Sequence, residues 1–137
     1  MINKTSTRLP ESGFVAFNPA STSANSSKER WQIEKMGEIV DVLDVVRNGS
    51  QRLHAITGAF FGSSSGAERL RLSSLDVAVA TIGERFPLPL VDANKPDVSQ
   101  FAYLLFNNVW GTNYPMWYPF DEADKNSQFR FQIQFKA

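Results

Sequence analysis

Phe129-Arg-Phe-Gln-Ile-Gln-Phe135 has the clearest alternation of apolar and polar residues in the chain. Successive side chains of a β-strand point to opposite faces, so the pattern places Phe129, Phe131, Ile133 and Phe135 on one face. We expect that face to pack on a shared core. The stretch therefore predicts a strand of an antiparallel β-protein.

Further short runs upstream alternate in the same way or are rich in β-branched and aromatic residues. They predict strands over residues 14–17, 31–36, 52–57, 68–73, 75–82 and 101–106. Residues 38–46 fit either a helical face or an extended strand. Asn48-Gly49 is a turn signal, residues 58–66 are predicted to be a flexible loop, and residues 83–96, with three prolines, an irregular connection. Many short strands between turns predict an all-β fold, an antiparallel β-sandwich with long irregular loops.

Composition bounds the organisation of the chain and the classes of partner. Its 137 residues, 42% of them apolar, suit a single domain over residues 1–137, in which segments 1–8 and 20–30 are predicted to be flexible. Lys plus Arg and Asp plus Glu number 14 each, which argues against a nucleic-acid-binding surface.

The polar start and the absence of a long apolar run predict no signal peptide and no membrane partner, hence a cytoplasmic chain if expressed as it stands.

Residues that could carry chemistry are few. There is no cysteine, and His54 is the single histidine, so a thiolate or histidine-rich metal site is excluded and no metal ligand is assigned. His54 lies in an alternating run without a nucleophile-elbow motif, which favours a structural or hydrogen-bonding role over catalysis. The aspartates are interpreted as turn or strand-edge residues. We therefore predict no catalytic residue and no cofactor in this chain.

The most suggestive stretch for function is Leu104-Leu-Phe-Asn-Asn-Val-Trp-Gly-Thr-Asn-Tyr-Pro-Met-Trp117. It starts as an apolar strand and turns polar at Asn107. We expect side-chain hydrogen bonds to shape the loop at Asn107, Asn108 and Thr112, and Gly111 to lie either at positive φ or close to another backbone. Aromatic planes beside amides can stack on sugars, so the candidate substrate-binding residues are Trp110, Asn113, Tyr114 and Trp117. Alternatively, the aromatic residues fill a sandwich edge or an interface with another domain.

Asn107-Asn-Val-Trp-Gly-Thr-Asn-Tyr-Pro-Met-Trp117, followed by Phe129-Arg-Phe131, resembles the C-terminal end of proteins related to glycoside hydrolase family 38, the α-mannosidases. The resemblance extends over most of the chain. Upstream it includes Leu9-Pro-Glu11, Phe17-Asn-Pro19, residues 31–37, Leu43-Asp-Val-Val-Arg47, residues 49–55 and Leu75-Asp76. Residues 21–27 and 121–127 do not match well.

The resemblance implies an accessory role. In that family the zinc ligands and the nucleophilic aspartate lie in a large N-terminal α/β domain, on which C-terminal β-sandwich domains pack. No position of this chain matches those catalytic residues. The resemblance therefore implies a C-terminal accessory domain, a fragment of a larger glycosidase-like protein, that is inactive alone and whose partner is a missing or separate catalytic domain holding the zinc. The alternative is a self-standing carbohydrate-binding module that uses the aromatic loop from Trp110 to Tyr118.

Overall fold

The computed structural model describes residues 2–3, 11–20, 29–44, 53–63, 68–85, 97–107 and 126–136. Within these residues every regular element is a β-strand. The strands are β1 (Ile2–Asn3), β2 (Ser12–Phe17), β3 (Glu29–Lys35), β4 (Glu38–Asp41), β5 (Leu53–Ala55), β6 (Gly58–Ser63), β7 (Glu68–Ser73), β8 (Val79–Ile82), β9 (Phe101–Asn107), β10 (Asn126–Ser127) and β11 (Gln132–Phe135). The same residues contain no helix with the length and hydropathy of a membrane span.

Two antiparallel sheets form the fold, which confirms the predicted all-β class. The five-stranded sheet has the order β11-β7-β6-β3-β4, and the four-stranded sheet has the order β2-β9-β8-β5. A separate two-stranded pair joins β1 to β10. The chain passes between the two large sheets several times, so each sheet is built from distant parts of the sequence.

The core lies between the two sheets and is strongly aromatic. Trp31 of β3 and Phe101 of β9 are both almost fully buried, and their rings stack across the sheets with centroids 4.7 Å apart. The indole N–H of Trp31 donates to the Ser99 carbonyl at 3.2 Å, so the buried ring has its polar group satisfied. The predicted alternation of β3 is confirmed, since Trp31 and Ile33 are buried while Gln32 and Glu34 are half-buried.

Residues 58–63 form a central strand, and the predicted flexible loop over 58–66 is wrong for this part. β6 pairs with β3 on one side and with β7 on the other, and its first five residues are all buried. At Gly58 an added Cβ would lie 3.3 Å from Glu34 Oε2 and 3.4 Å from the Leu72 carbonyl oxygen. Gly58 is thus a small residue in a crowded sheet centre.

The C-terminal alternation predicts correctly that Ile133 and Phe135 share a face, but not their burial, and the strand begins only at Gln132 and not at Phe129. Ile133 lies opposite Leu72 and Phe135 opposite Leu70, so both face the same side as these core leucines. Only Phe129 and Phe131 pack against the core, whereas Ile133 is 47% and Phe135 82% exposed. The reason is position, because within the described residues β11 is the end strand of the larger sheet.

Several boundaries differ from the sequence patterns. β3 begins at Glu29, two residues earlier than predicted, and the ambiguous segment 38–46 contains the strand β4. β8 begins only at Val79, while Leu75 lies in a connection and is 95% exposed. Met36 and Gly37 form the β3–β4 turn with positive φ. The Asn48-Gly49 turn, residues 86–96 and most of segments 1–8 and 20–30 lie outside the described residues.

Candidate functional site

Of the eight residues assigned to the predicted aromatic loop, only Asn107 is described. It is the last residue of β9 and is paired with Ser12 of β2. Asn108, Trp110, Gly111, Thr112, Asn113, Tyr114 and Trp117 lie outside the described residues. The sugar-binding and loop-shaping roles of these residues stay predictions.

The end of β9 is in close contact with the start of β2. A Cβ added at Gly13 of β2 would come within 2.4 Å of the Phe106 ring of β9. The pairing register between β2 and β9 shifts between Gly13 and Phe14. This shift marks a β-bulge where β2 meets the last residues of β9. Because Gly13 has no side chain, the Phe106 ring can lie over the β2 backbone beside the end of β9.

β9 ends at one end of the sandwich, and we call this end of the sandwich the loop end. Because every pairing is antiparallel, the turn 36–37 and the connections 56–57 and 74–78 lie at this end too. Two backbone hydrogen bonds anchor the crossing between the sheets there. Ile56 N–H donates to the Ala78 carbonyl at 2.8 Å, and Thr57 N–H donates to the Glu34 carbonyl at 2.9 Å.

His54 and Lys35 join the two sheets close to the loop end. Lys35 Nζ lies 3.4 Å from Nδ1 of His54, which is only 4% exposed. An ammonium group can only donate, so in this contact Lys35 is the donor and Nδ1 the acceptor. The predicted hydrogen-bonding role of His54 is therefore the one that its geometry supports.

Asp76 and Arg130 form a bidentate ion pair at the same end. The guanidinium donates to both carboxylate oxygens at 2.7 and 2.9 Å, and the Arg130 backbone N–H donates to Oδ2 at 2.7 Å. These hydrogen bonds lower the pKa of Asp76 to about 2 and raise the pKa of Arg130. The pair fastens the connection 74–78 to the segment that enters β11.

Several other described carboxylates serve turns or ion pairs between strands. Asp41 Oδ1 accepts from the Leu43 N–H at 3.0 Å, and Asp97 accepts from Ser99 and Gln100, which lowers its pKa. This confirms the interpretation of both aspartates as turn or strand-edge residues. Among the described residues there is no group of three or more His, Cys, Asp or Glu side chains that could hold a metal ion.

Sequence reasoning missed the exposed apolar residues. Met36 is 98% and Leu75 95% exposed, each on a different connection at the loop end, Ile39 is exposed on β4, and Ile133 and Phe135 are exposed on one face of β11. The signal available for Met36 was its place directly before Gly37 in a tight turn, which leaves a side chain outside the sheet. Large exposed apolar residues that cluster on a surface are typical of interaction sites.

Comparisons with known proteins find no similar family or protein. No protein-family model, no curated protein and no solved structure matches the chain.

Proposed function

We propose that this chain is an accessory β-sandwich domain of an α-mannosidase-like glycoside hydrolase, and that it acts by packing its loop end on a catalytic α/β domain. The proposal rests on the resemblance of the stretch from Asn107 to Trp117. One structural observation supports it. Antiparallel pairing brings the start of that stretch to the same end of the sandwich as the exposed Met36 and Leu75.

The surface at this end suits contact with another folded domain. Exposed apolar side chains gain free energy when a partner covers them, about 25 cal/mol for each Å² of apolar area. The bidentate Asp76–Arg130 pair holds the connection that bears Leu75. A partner would therefore meet Leu75 on a connection that this ion pair already holds in place, which lowers the entropic cost of binding.

Binding to a separately produced α/β catalytic domain of an α-mannosidase-like protein tests the proposal. We expect isothermal titration calorimetry to detect a complex with the full chain. The double variant Met36→Ser with Leu75→Ser should weaken it at least about tenfold, or 1.4 kcal/mol. Phe135→Ser is the matched control, because Phe135 is also strongly exposed but lies on β11. Absence of a complex, or equal weakening by the control, would contradict docking at the loop end.

A glycan-array screen of the isolated chain separates this function from the carbohydrate-binding alternative. An accessory domain that docks on a partner gives no sugar signal alone. A signal that is lost in Trp110→Ala or Trp117→Ala at unchanged melting temperature would instead favour a carbohydrate-binding module. The isolated chain should also show no zinc-dependent mannosidase activity.

A further inference from the structure

We infer that β11 pairs with the β11 strand of a second copy of this chain, which joins the two five-stranded sheets across a two-fold axis at Gln134. This inference goes beyond the proposed function, because it requires neither a catalytic partner nor a sugar. It concerns the edge of the larger sheet and not the loop end.

The backbone of β11 is arranged for pairing on its outer side. Within the described residues β11 pairs with β7 alone and ends the five-stranded sheet. Lys136 N–H donates to the Arg69 carbonyl at 3.0 Å, and antiparallel pairs alternate between hydrogen-bonded and non-hydrogen-bonded residues. The N–H and C=O groups of Gln132 and Gln134 therefore point to β7, and those of Ile133 and Phe135 point away from it.

The side chains of these same two residues extend the apolar face of the sheet. Ile133 and Phe135 share a face with Leu72 and Leu70, which are buried, yet they are 47% and 82% exposed. A strand that fits this edge must offer outward backbone groups and apolar side chains at alternate residues. Strand addition of this kind is a general mode of recognition.

The β11 strand of a second copy meets that requirement when the pairing register is centred on Gln134. With Gln134 opposite its own copy, Ile133 of each protomer lies opposite Phe135 of its partner. Both are positions whose backbone groups point outward, so the register forms two hydrogen-bonded pairs with four backbone hydrogen bonds. It also covers the exposed apolar side chains, since each isoleucine packs beside a phenylalanine.

Charge favours this edge over the opposite one. In the β11 register Lys136 lies opposite Gln132 of the partner, and Lys136 is already paired with Glu68 at 2.9 Å. The other end strand, β4, carries Glu38 and Asp41 and no basic residue. Pairing β4 with its own copy would gather carboxylates, which repel one another.

Sedimentation velocity of the full chain over a concentration series tests the inference. We expect a reversible monomer–dimer equilibrium. Ile133→Pro removes an outward N–H without removing a hydrogen bond to β7, so it should raise the dimer dissociation constant about tenfold or more while the chain stays folded. Ile39→Lys is the matched control, because Ile39 is an exposed apolar residue of β4, and it should leave the equilibrium unchanged.

A charge-swap experiment tests the register and does not depend on the proline variant. Gln134→Lys and Gln134→Glu each place like charges at the two-fold axis, so each variant alone should dimerise less than the unmodified chain. A one-to-one mixture of the two should recover dimers, because opposite charges then meet. A chain that stays monomeric at all concentrations, or a dimer that neither variant weakens, would overturn the inference.

Discussion

Tyr103 carries a buried hydroxyl that the core does not satisfy. The residue is 1% exposed, its Oη makes no hydrogen bond within the described part of the chain, and burial raises its pKa to about 12. Its ring packs edge-on against Phe101 and beside Phe131. The ring therefore stabilises the core, whereas the hydroxyl carries a desolvation cost.

We expect Tyr103→Phe to leave stability unchanged or to raise it by about 1 kcal/mol, because an unsatisfied buried polar group costs about 1–3 kcal/mol. Urea unfolding measures the change. Tyr103→Leu, which also removes the ring contacts, is the control and should destabilise the chain. A loss of stability in the phenylalanine variant would reveal a partner for the hydroxyl.

Asp76 should make stability depend on pH in the acid range. Hydrogen bonds from Arg130 lower its folded-state pKa from 3.8 to about 2. A carboxyl group whose pKa is lowered on folding stabilises the protein above its unfolded pKa, and this stabilisation is lost as pH falls through the folded pKa. The contribution should therefore disappear between about pH 4 and pH 2.

Carboxyl NMR titration measures the Asp76 pKa directly. Melting temperatures from pH 5 to pH 2 should fall less steeply in Asp76→Asn than in the unmodified chain, since the variant has no carboxyl group to protonate. Arg130→Gln is a second check and should return the Asp76 pKa toward its usual value. A normal pKa in the unmodified chain would contradict the ion pair.

At the scale of elements, Leu72 and Ile133 form a matched pair across β7 and β11. They lie opposite each other on one face, but Leu72 is fully buried and Ile133 is 47% exposed. We expect Leu72→Ala to cost about 2–5 kcal/mol, within the range for a buried leucine. Ile133→Ala should cost less than about 1 kcal/mol, because it removes no core contact of that kind. Chemical denaturation of both variants at a concentration that keeps them monomeric measures the difference.

The same pair explains what the sequence can predict about elements. Period-two patterns identify strands and shared faces, as they do for Trp31 with Ile33 and for Leu70 with Leu72, because alternation follows from local backbone geometry. They do not reveal a strand's place within its sheet. Ile133 and Phe135 are exposed because β11 is at an edge, and Gly58–Ser63 is buried because β6 has a neighbour on each side.

The candidate site was less predictable than the strands. The sequence singled out the stretch after Phe106 as a functional loop, but the structure describes only its first residue, Asn107. The loop end and its exposed Met36 and Leu75 depend on which strands finish together. That arrangement is set by pairings between residues distant in sequence, which local patterns do not contain.

At the scale of the whole molecule, the two large sheets should unfold together. Trp31 of one sheet stacks on Phe101 of the other, and the Lys35–His54 contact links them near the loop end. Neither sheet can bury its apolar face alone, so separating the sheets exposes the core of both. A single cooperative transition is the expected behaviour of such a domain.

The chain has 3 tryptophans, so replacing Trp110 and Trp117 with Phe leaves Trp31 as the one indole reporter between the sheets. We expect the urea transition followed by Trp31 fluorescence to coincide with the transition followed by far-ultraviolet circular dichroism. The midpoint of the circular dichroism transition in the unmodified chain serves as the control for effects of the two substitutions. If the fluorescence changed at a lower urea concentration than the backbone signal, the sheets would separate before they unfold, and the inter-sheet core would not be what holds each sheet together.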